Sequence, residues 1–221
     1  MRKILIITFL STIIFLSCNP FKKEAKGVIF SQTSEYDSLS DNDTIIIDSH
    51  YTFEESVAGS IAPLEIINQL ELIDVQYYST DGKIHQGQIL TNKTLANDLK
   101  EIFKFILKSG FEVEHAIPVV KYGWYDDLSM QANNTYSFCY RNMNFSKHAT
   151  GMAIDINPFL NPVIWKDGYD YRQNKPEQAR RDTTVNGTLY ESQPVVQEFI
   201  KHGFFWGHNF KMKFDDHHFE K

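Results

Sequence analysis

The most restrictive feature of this chain is a carboxylate set inside an apolar strand. Residues 152 to 156 read Met-Ala-Ile-Asp-Ile. Side chains alternate along a strand, so Met152, Ile154 and Ile156 share one face and Ala153 and Asp155 the other. A carboxylate at such a position is costly to bury unless something positive meets it. Ala153 leaves space beside it, Gly151 permits a tight backbone just upstream, and His148 lies on the far side of that turn. A metal ion held by His148 and Asp155 would satisfy the buried charge directly.

The C-terminus supplies what such a site lacks. The chain closes with Asp215-Asp216-His217-His218-Phe219-Glu220 ahead of Lys221. On a strand His218 and Glu220 share a face and Phe219 packs behind. A turn after Asp215 lets its side chain converge with that of His218. Two histidines and one aspartate leave a fourth coordination place open, the catalytic rather than the structural zinc pattern. A spare carboxylate beside them is what a metallopeptidase needs as general base. Spacing alone leaves a rival reading open, in which hydrogen bonds satisfy the same His and Asp without a metal, because no short HExxH-type motif ties them together. Among the 8 histidines, His50, His85, His115 and His202 read as surface or core residues. His208 and His217 flank the proposed site, and spacing does not decide whether either touches the metal.

The N-terminus bears on location. Arg2 and Lys3 precede an apolar run from Ile4 to Leu16, too short to span a bilayer and suited to a signal sequence. It leads into Phe15-Leu16-Ser17-Cys18, which resembles a bacterial lipobox, with Phe15 where Leu is usual and Leu16 where a smaller residue is. The resemblance implies a signal peptide over 1–17, cleavage before Cys18 and a lipid on its thiol, anchoring the exported protein to the cell envelope, in the periplasm or at the cell surface. Cys139, the other of the 2 cysteines, then has no disulfide partner and reads as a small buried residue, with ligand or nucleophile as alternatives. Residues 18–50 are polar and irregular and read as a tether. A formal net charge of -6 argues against a nucleic-acid partner, and 221 residues suit one domain, here 51–221, taken as a monomer.

Within that domain, Leu72 to Tyr78 alternates as a strand, Asp81-Gly82 marks a turn, and Ile84 to Leu90 returns as its hairpin partner. Asn92 caps a helix to about Ser109, with Leu95, Leu99, Ile102, Phe103 and Ile106 on one face and Gly110 as the stop. Ala116 to Lys121 reads as a strand and 126–141 as loop. Residues 159–191 form a long polar insertion, such as serves for lids and binding loops. Ser192 caps a second helix with Pro194 in its first turn and Gly203 as the stop, and Phe204 to Trp206 and His218 to Glu220 close the domain as strands. Without a regular βαβ rhythm the class is α+β, mainly antiparallel sheet with flanking helices.

The stretch Ser146-Lys147-His148-Ala149-Thr150-Gly151-Met152-Ala153-Ile154-Asp155 resembles the S-x-H-x-x-G-x-A-x-D signature of the VanY-type D-alanyl-D-alanine carboxypeptidases, relatives of which include L-alanyl-D-glutamate endopeptidases. The likeness continues in Ile156-Asn157-Pro158, in Gly203-Phe204-Phe205-Trp206-Gly207 and in Asp215-x-x-His218-Phe219-Glu220, with Asp127 to Arg141 upstream. It implies a hedgehog/DD-peptidase-like fold and zinc (Zn2+) bound by His148, Asp155 and His218. It also implies Asp215 as general base and Arg141 as the cation for substrate or developing oxyanion. The implied activity is hydrolysis of peptidoglycan stem peptides by zinc-activated water. His208 and Phe210 stand where relatives often carry Gly and Trp. Glu220 is either a partner that orients a ligating histidine or a terminal surface charge, and Ser137 and Ser146 are either substrate contacts or turn residues. Hedgehog signalling domains share this zinc architecture as binding modules, so the alternative is a non-catalytic zinc-containing lipoprotein that binds cell wall or a partner; Asp215 is the residue such a binder has no reason to keep.

Overall fold

The computed structural model describes residues 44–143, 145–169 and 175–221. The signal segment 1–17, Cys18 and the tether as far as residue 43 lie outside the described residues. No helix among the described residues is long and apolar enough to cross a membrane.

The domain begins earlier than residue 51. Strand β1 (Ile46–Ile47) pairs in parallel with the hairpin strand that follows later, and Asp48 accepts hydrogen bonds from the Tyr77 hydroxyl (2.5 Å) and from His85 (2.8 Å). Two short helices, α1 (Phe53–Ser56) and α2 (Leu64–Ile67), lead into β2 (Leu70–Tyr78) and β3 (Ile84–Asn92). These two pair antiparallel from Leu70↔Asn92 to Tyr78↔Ile84, the hairpin that the alternation and Asp81-Gly82 predict. Gly82 takes the positive φ of 77° that the turn requires.

Helix α3 (Lys93–Ser109) follows as predicted. The Asn92 side chain accepts from the Thr94 amide, and Gly110 ends the helix at φ 69°. Its buried face, Leu95, Ala96, Leu99, Ile102, Phe103 and Ile106, packs on β2 and β3 as the main core, each large side chain contributing about 1.5–3 kcal/mol by leaving water.

Two predicted elements differ. In place of a strand over 116–121 there is only β4 (His115–Ala116), followed by a 3₁₀ turn over Val119–Tyr122; Pro118 cannot donate to a sheet ladder and starts the turn instead. The 126–141 stretch is not all loop. It holds α4 (Asp126–Gln131) and β5 (Asn134–Thr135), which pairs in parallel with β4; Met130 and Ser129 are its buried side.

The second sheet carries the chemistry. Strand β6 (Ala153–Asp155) arises within the predicted 152–156 segment, and β7 (Val163–Trp165) lies inside the polar insertion. Helix α5 (Pro194–Lys201) starts one residue later than expected, with Gln193 rather than Ser192 at its cap and Pro194 at its first position. Then come β8 (Phe205–Trp206), β9 (Lys213–Asp215) and β10 (His218–Glu220). The sheet order is β6-β10-β8, antiparallel, and β7 pairs antiparallel with β9. The register sets His218 opposite Asp155 and Phe219 opposite both Ile154 and Trp206. Phe219 is fully buried and stacks on Phe199 of α5 with centroids 4.0 Å apart. Apolar packing on one face therefore holds the polar pair on the other. The architecture is α+β.

Candidate metal centre and its cleft

Three elements place three ligand atoms. His148 sits in a 3₁₀ turn over Lys147–Thr150, which Gly151 closes at φ 68°. A side chain at residue 151 would meet the Asn92 amide at 2.7 Å, so the turn lies directly on the first sheet. Asp155 ends β6 and His218 opens β10. His148 Nε2 lies 3.1 Å from Asp155 Oδ1 and 3.1 Å from His218 Nδ1, and His218 Nδ1 lies 3.0 Å from the same Oδ1. All three residues are buried. This is the one group of three or more His, Cys, Asp or Glu among the described residues whose ligand atoms gather this closely, within 4.8 Å.

The outer nitrogens decide what meets at the centre. His148 Nδ1 is 2.7 Å from the Ser137 carbonyl, which can only accept, so that nitrogen carries the hydrogen and Nε2 presents a lone pair. His218 Nε2 is 3.0 Å from Glu220 Oε2, so the Nδ1 of the neutral ring likewise presents a lone pair. Three lone pairs then face one another with no hydrogen between them, an arrangement that a cation satisfies. Outer partners of this kind also fix the ring orientation of ligating histidines. With no cation in place a proton serves. Burial opposes charge on His218, but its contacts to Asp155 and Glu220 outweigh this and push its pKa up to about 10. Burial likewise works against ionised Asp155, and the neighbouring His148 and His217 reverse it, holding the carboxyl well below the usual range.

Asp215, at the end of β9, is 5% exposed. Its Oδ2 accepts from Lys213 Nζ at 2.6 Å. Its Oδ1 lies 3.0 Å from His217 Nε2, close enough to attract as charges but not aligned as a hydrogen bond, so no donor among the described residues bonds to it. Burial favours the neutral acid, but the charges of His217, His218 and Lys213 keep Asp215 ionised far below the ordinary carboxylate pKa. His217 donates from Nδ1 to the Asn161 carbonyl at 2.7 Å and has its own pKa pushed up to about 9: burial opposes its charge, and Asp155 and Asp215 more than compensate. His217 is thus a neighbour of the two carboxylates, outside the three-atom group. His208 lies apart, 2.6 Å from Asp216 and stacked on Trp206.

A cleft of about 570 Å³ opens over the group. Arg141 lines it, its Nη2 donating to Asp126 at 2.7 Å. Ser137 does not contact substrate space: it is 1% exposed and its hydroxyl turns to Thr91 (2.9 Å) and the Gly151 carbonyl (3.3 Å). Its backbone carbonyl is the part that serves the site. The insertion reaches the cleft wall through Val163 and Trp165 of β7, and it is tied to the surrounding structure by the Asn161 carbonyl, which accepts from His217 at 2.7 Å, and by Arg181, which pairs with buried Asp216 at 2.9 Å. Asp126 and Lys213 were not singled out by the sequence. The spacing of Lys213 and Asp215, two apart on one strand face, is a signal that could have found the second; nothing local marks the first.

A buried pair of histidines and a carboxylate, floor of an open cleft with an ionised aspartate beside it, is the arrangement of a metallopeptidase. Residues 141–221 match the family model described as D-alanyl-D-alanine carboxypeptidase, which supports the VanY-type resemblance and makes the chain a metallopeptidase of the D-alanyl-D-alanine carboxypeptidase type. No curated protein and no solved structure matches the chain.

Proposed function

We propose that this protein is a zinc-dependent peptidase that hydrolyses peptidoglycan stem peptides, of the D-Ala-D-Ala carboxypeptidase or L-Ala-D-Glu endopeptidase type. The observation that carries the reading is the convergence of His148 Nε2, Asp155 Oδ1 and His218 Nδ1, the two ring nitrogens left without hydrogen by their outer contacts, beside the buried carboxylate of Asp215. Two nitrogens and one oxygen fit zinc. Zinc bound there supplies Lewis-acid chemistry, polarising a peptide carbonyl and making water nucleophilic near neutral pH.

The remaining work falls to the chain. Asp215 Oδ1 accepts the proton of the attacking water and passes it to the leaving amine. His217 holds that carboxylate ionised and oriented. Arg141, aimed by Asp126, stabilises the negative oxygen that develops on the scissile carbonyl, the kind of donor whose loss raises a barrier by about 3 kcal/mol. His217 and Asn161 brace the turn that presents Asp215 and His218 together. We further propose export and a lipid anchor at Cys18, from the sequence Phe15-Leu16-Ser17-Cys18 after an apolar run, placing the enzyme at the cell envelope with its substrate.

Purified protein incubated with defined stem peptides, with and without chelator, and products identified by mass, tests this. Chelator-sensitive release of a terminal D-alanine, or cleavage after L-alanine, is expected. Binding of zinc without cleavage of any stem peptide would leave the binding-module reading instead.

A further inference from the structure

The cation on the general base points to substrate selection. Lys213 Nζ lies 2.6 Å from Asp215 Oδ2, and 5.7 Å from the ring centroids of both Trp165 and Phe210. It lines the same cleft as the three ligand residues, and its pairing with Trp165 across β7 and β9 fixes its place there. An ammonium on a proton acceptor weakens that acceptor, so as an isolated feature the contact works against the chemistry. A second anion that draws the ammonium away removes the conflict.

The terminal carboxylate of a peptide is such an anion, and it is the right distance away. The last residue of a substrate cut at its final bond spans only about 3.8 Å of chain, so a cation that binds its carboxylate must stand beside the point of attack. Lys213, in contact with Asp215, does. Of the other cations that line the cleft, Arg141 is held by Asp126 at 2.7 Å and assigned to the scissile carbonyl, Lys175 is paired with Asp127 at 2.6 Å, and neither Lys147 nor Lys211 forms an ion pair with Asp215 among the described residues.

We propose that Lys213 is the residue that recognises the free C-terminal carboxylate of the substrate, leaving Asp215 Oδ2 when that carboxylate arrives, so that the enzyme removes terminal residues in preference to cutting internal bonds. This rests on the peptidase reading above and specifies its substrate.

The test uses the full-length protein loaded with zinc and a stem peptide ending in D-Ala-D-Ala, as the free acid and as the C-terminal amide. The readout is the ratio of kcat/KM for acid over amide. The native protein is expected to prefer the acid by at least about tenfold, carried mainly in KM. Lys213→Met is expected to bring the ratio close to one, and Lys213→Arg to restore most of it. Lys211→Met, on the same cleft and exposed, is expected to keep the native ratio. Zinc content and thermal unfolding of each variant establish that it is folded and loaded. A native protein that cleaves both peptides equally overturns the proposal. So does a Lys213→Met variant that loses activity on both peptides by the same factor, which is what a purely structural role for Lys213 gives. If the native protein cleaves neither peptide, nor any other stem peptide, the peptidase reading itself has failed, and this proposal with it.

Discussion

Glu220 Oε2 accepts a hydrogen bond from His218 Nε2 at 3.0 Å, two residues away on the same strand. The strand's alternation makes the contact, placing both side chains on one face while Phe219 fills the core on the other. The result is a histidine whose inner nitrogen is free for a metal. Glu220→Ala is therefore expected to weaken zinc binding about 10- to 100-fold. Competition against a chelator of known affinity measures it, and unaltered affinity would mean that Glu220 is only a terminal surface charge.

Asp215 and His148 separate chemistry from metal retention. Asp215→Ala is expected to keep stoichiometric zinc and lose about 10²- to 10⁴-fold in kcat, the range for a general acid–base group. His148→Ala is expected to lose both zinc and activity, since it removes a ligand atom from the buried group. Metal analysis together with turnover on one stem peptide checks both. Near-native turnover in Asp215→Ala would remove the residue from the mechanism.

Asn161 binds the insertion to the second sheet. It is fully buried, its Nδ2 donating to the carbonyls of Ile156, Asn157 and Gly187 and its Oδ1 accepting from the Leu189 amide at 2.6 Å. Asn161→Ala strands several backbone groups away from water, and a stranded buried group costs about 1–3 kcal/mol. A loss of about 3 kcal/mol is expected in urea unfolding. A loss under about 0.5 kcal/mol would show that the 187–189 segment is not held there.

Asp48 fastens the start of the domain to the first sheet, and its contribution depends on pH. Burial disfavours its charge, but contacts with His115, Tyr77 and His85 lower its pKa below the ordinary 3.8. Its stabilisation is thus full above pH 3.8 and fades as pH falls through the lowered value. The His115 pKa is raised above 6.5, mainly by its contact with Asp48; that contribution is full below 6.5 and fades as pH rises through the raised value. The stability difference between the native protein and Asp48→Asn is expected to be largest between pH 3.8 and 6.5 and to shrink on either side. Denaturant unfolding of both proteins across pH 3 to 8 checks this, and a flat difference counts against the contact.

The parts legible in the sequence are those encoded by neighbouring residues. The β2–β3 hairpin follows from alternation and a glycine turn, α3 from an apolar stripe with Asn92 and Gly110 at its ends, and β10 from the His-Phe-Glu pattern. The cost of burying Asp155 likewise announces a positive partner before any fold is known. Where a strand was expected over 116–121, Pro118 overrode the apolar pattern, and where loop was expected over 126–141, burial of Ser129 and Met130 made a short helix from polar residues.

Only the tertiary structure decided which atoms meet. That His218 Nδ1 meets Asp155 Oδ1 at 3.0 Å, while His217 Nε2 stands 3.7 Å from Oδ2, follows from the register of β6 against β10, which Phe219 fixes by packing on Phe199. That Ser137 serves through its carbonyl, that Lys213 sits on Asp215 in a wall shared with the insertion, and that Asp126 aims Arg141 are contacts between segments far apart in the chain. Local sequence encodes periodicity and turn chemistry. Convergence of distant side chains depends on how whole faces pack, and no short stretch of residues carries that information.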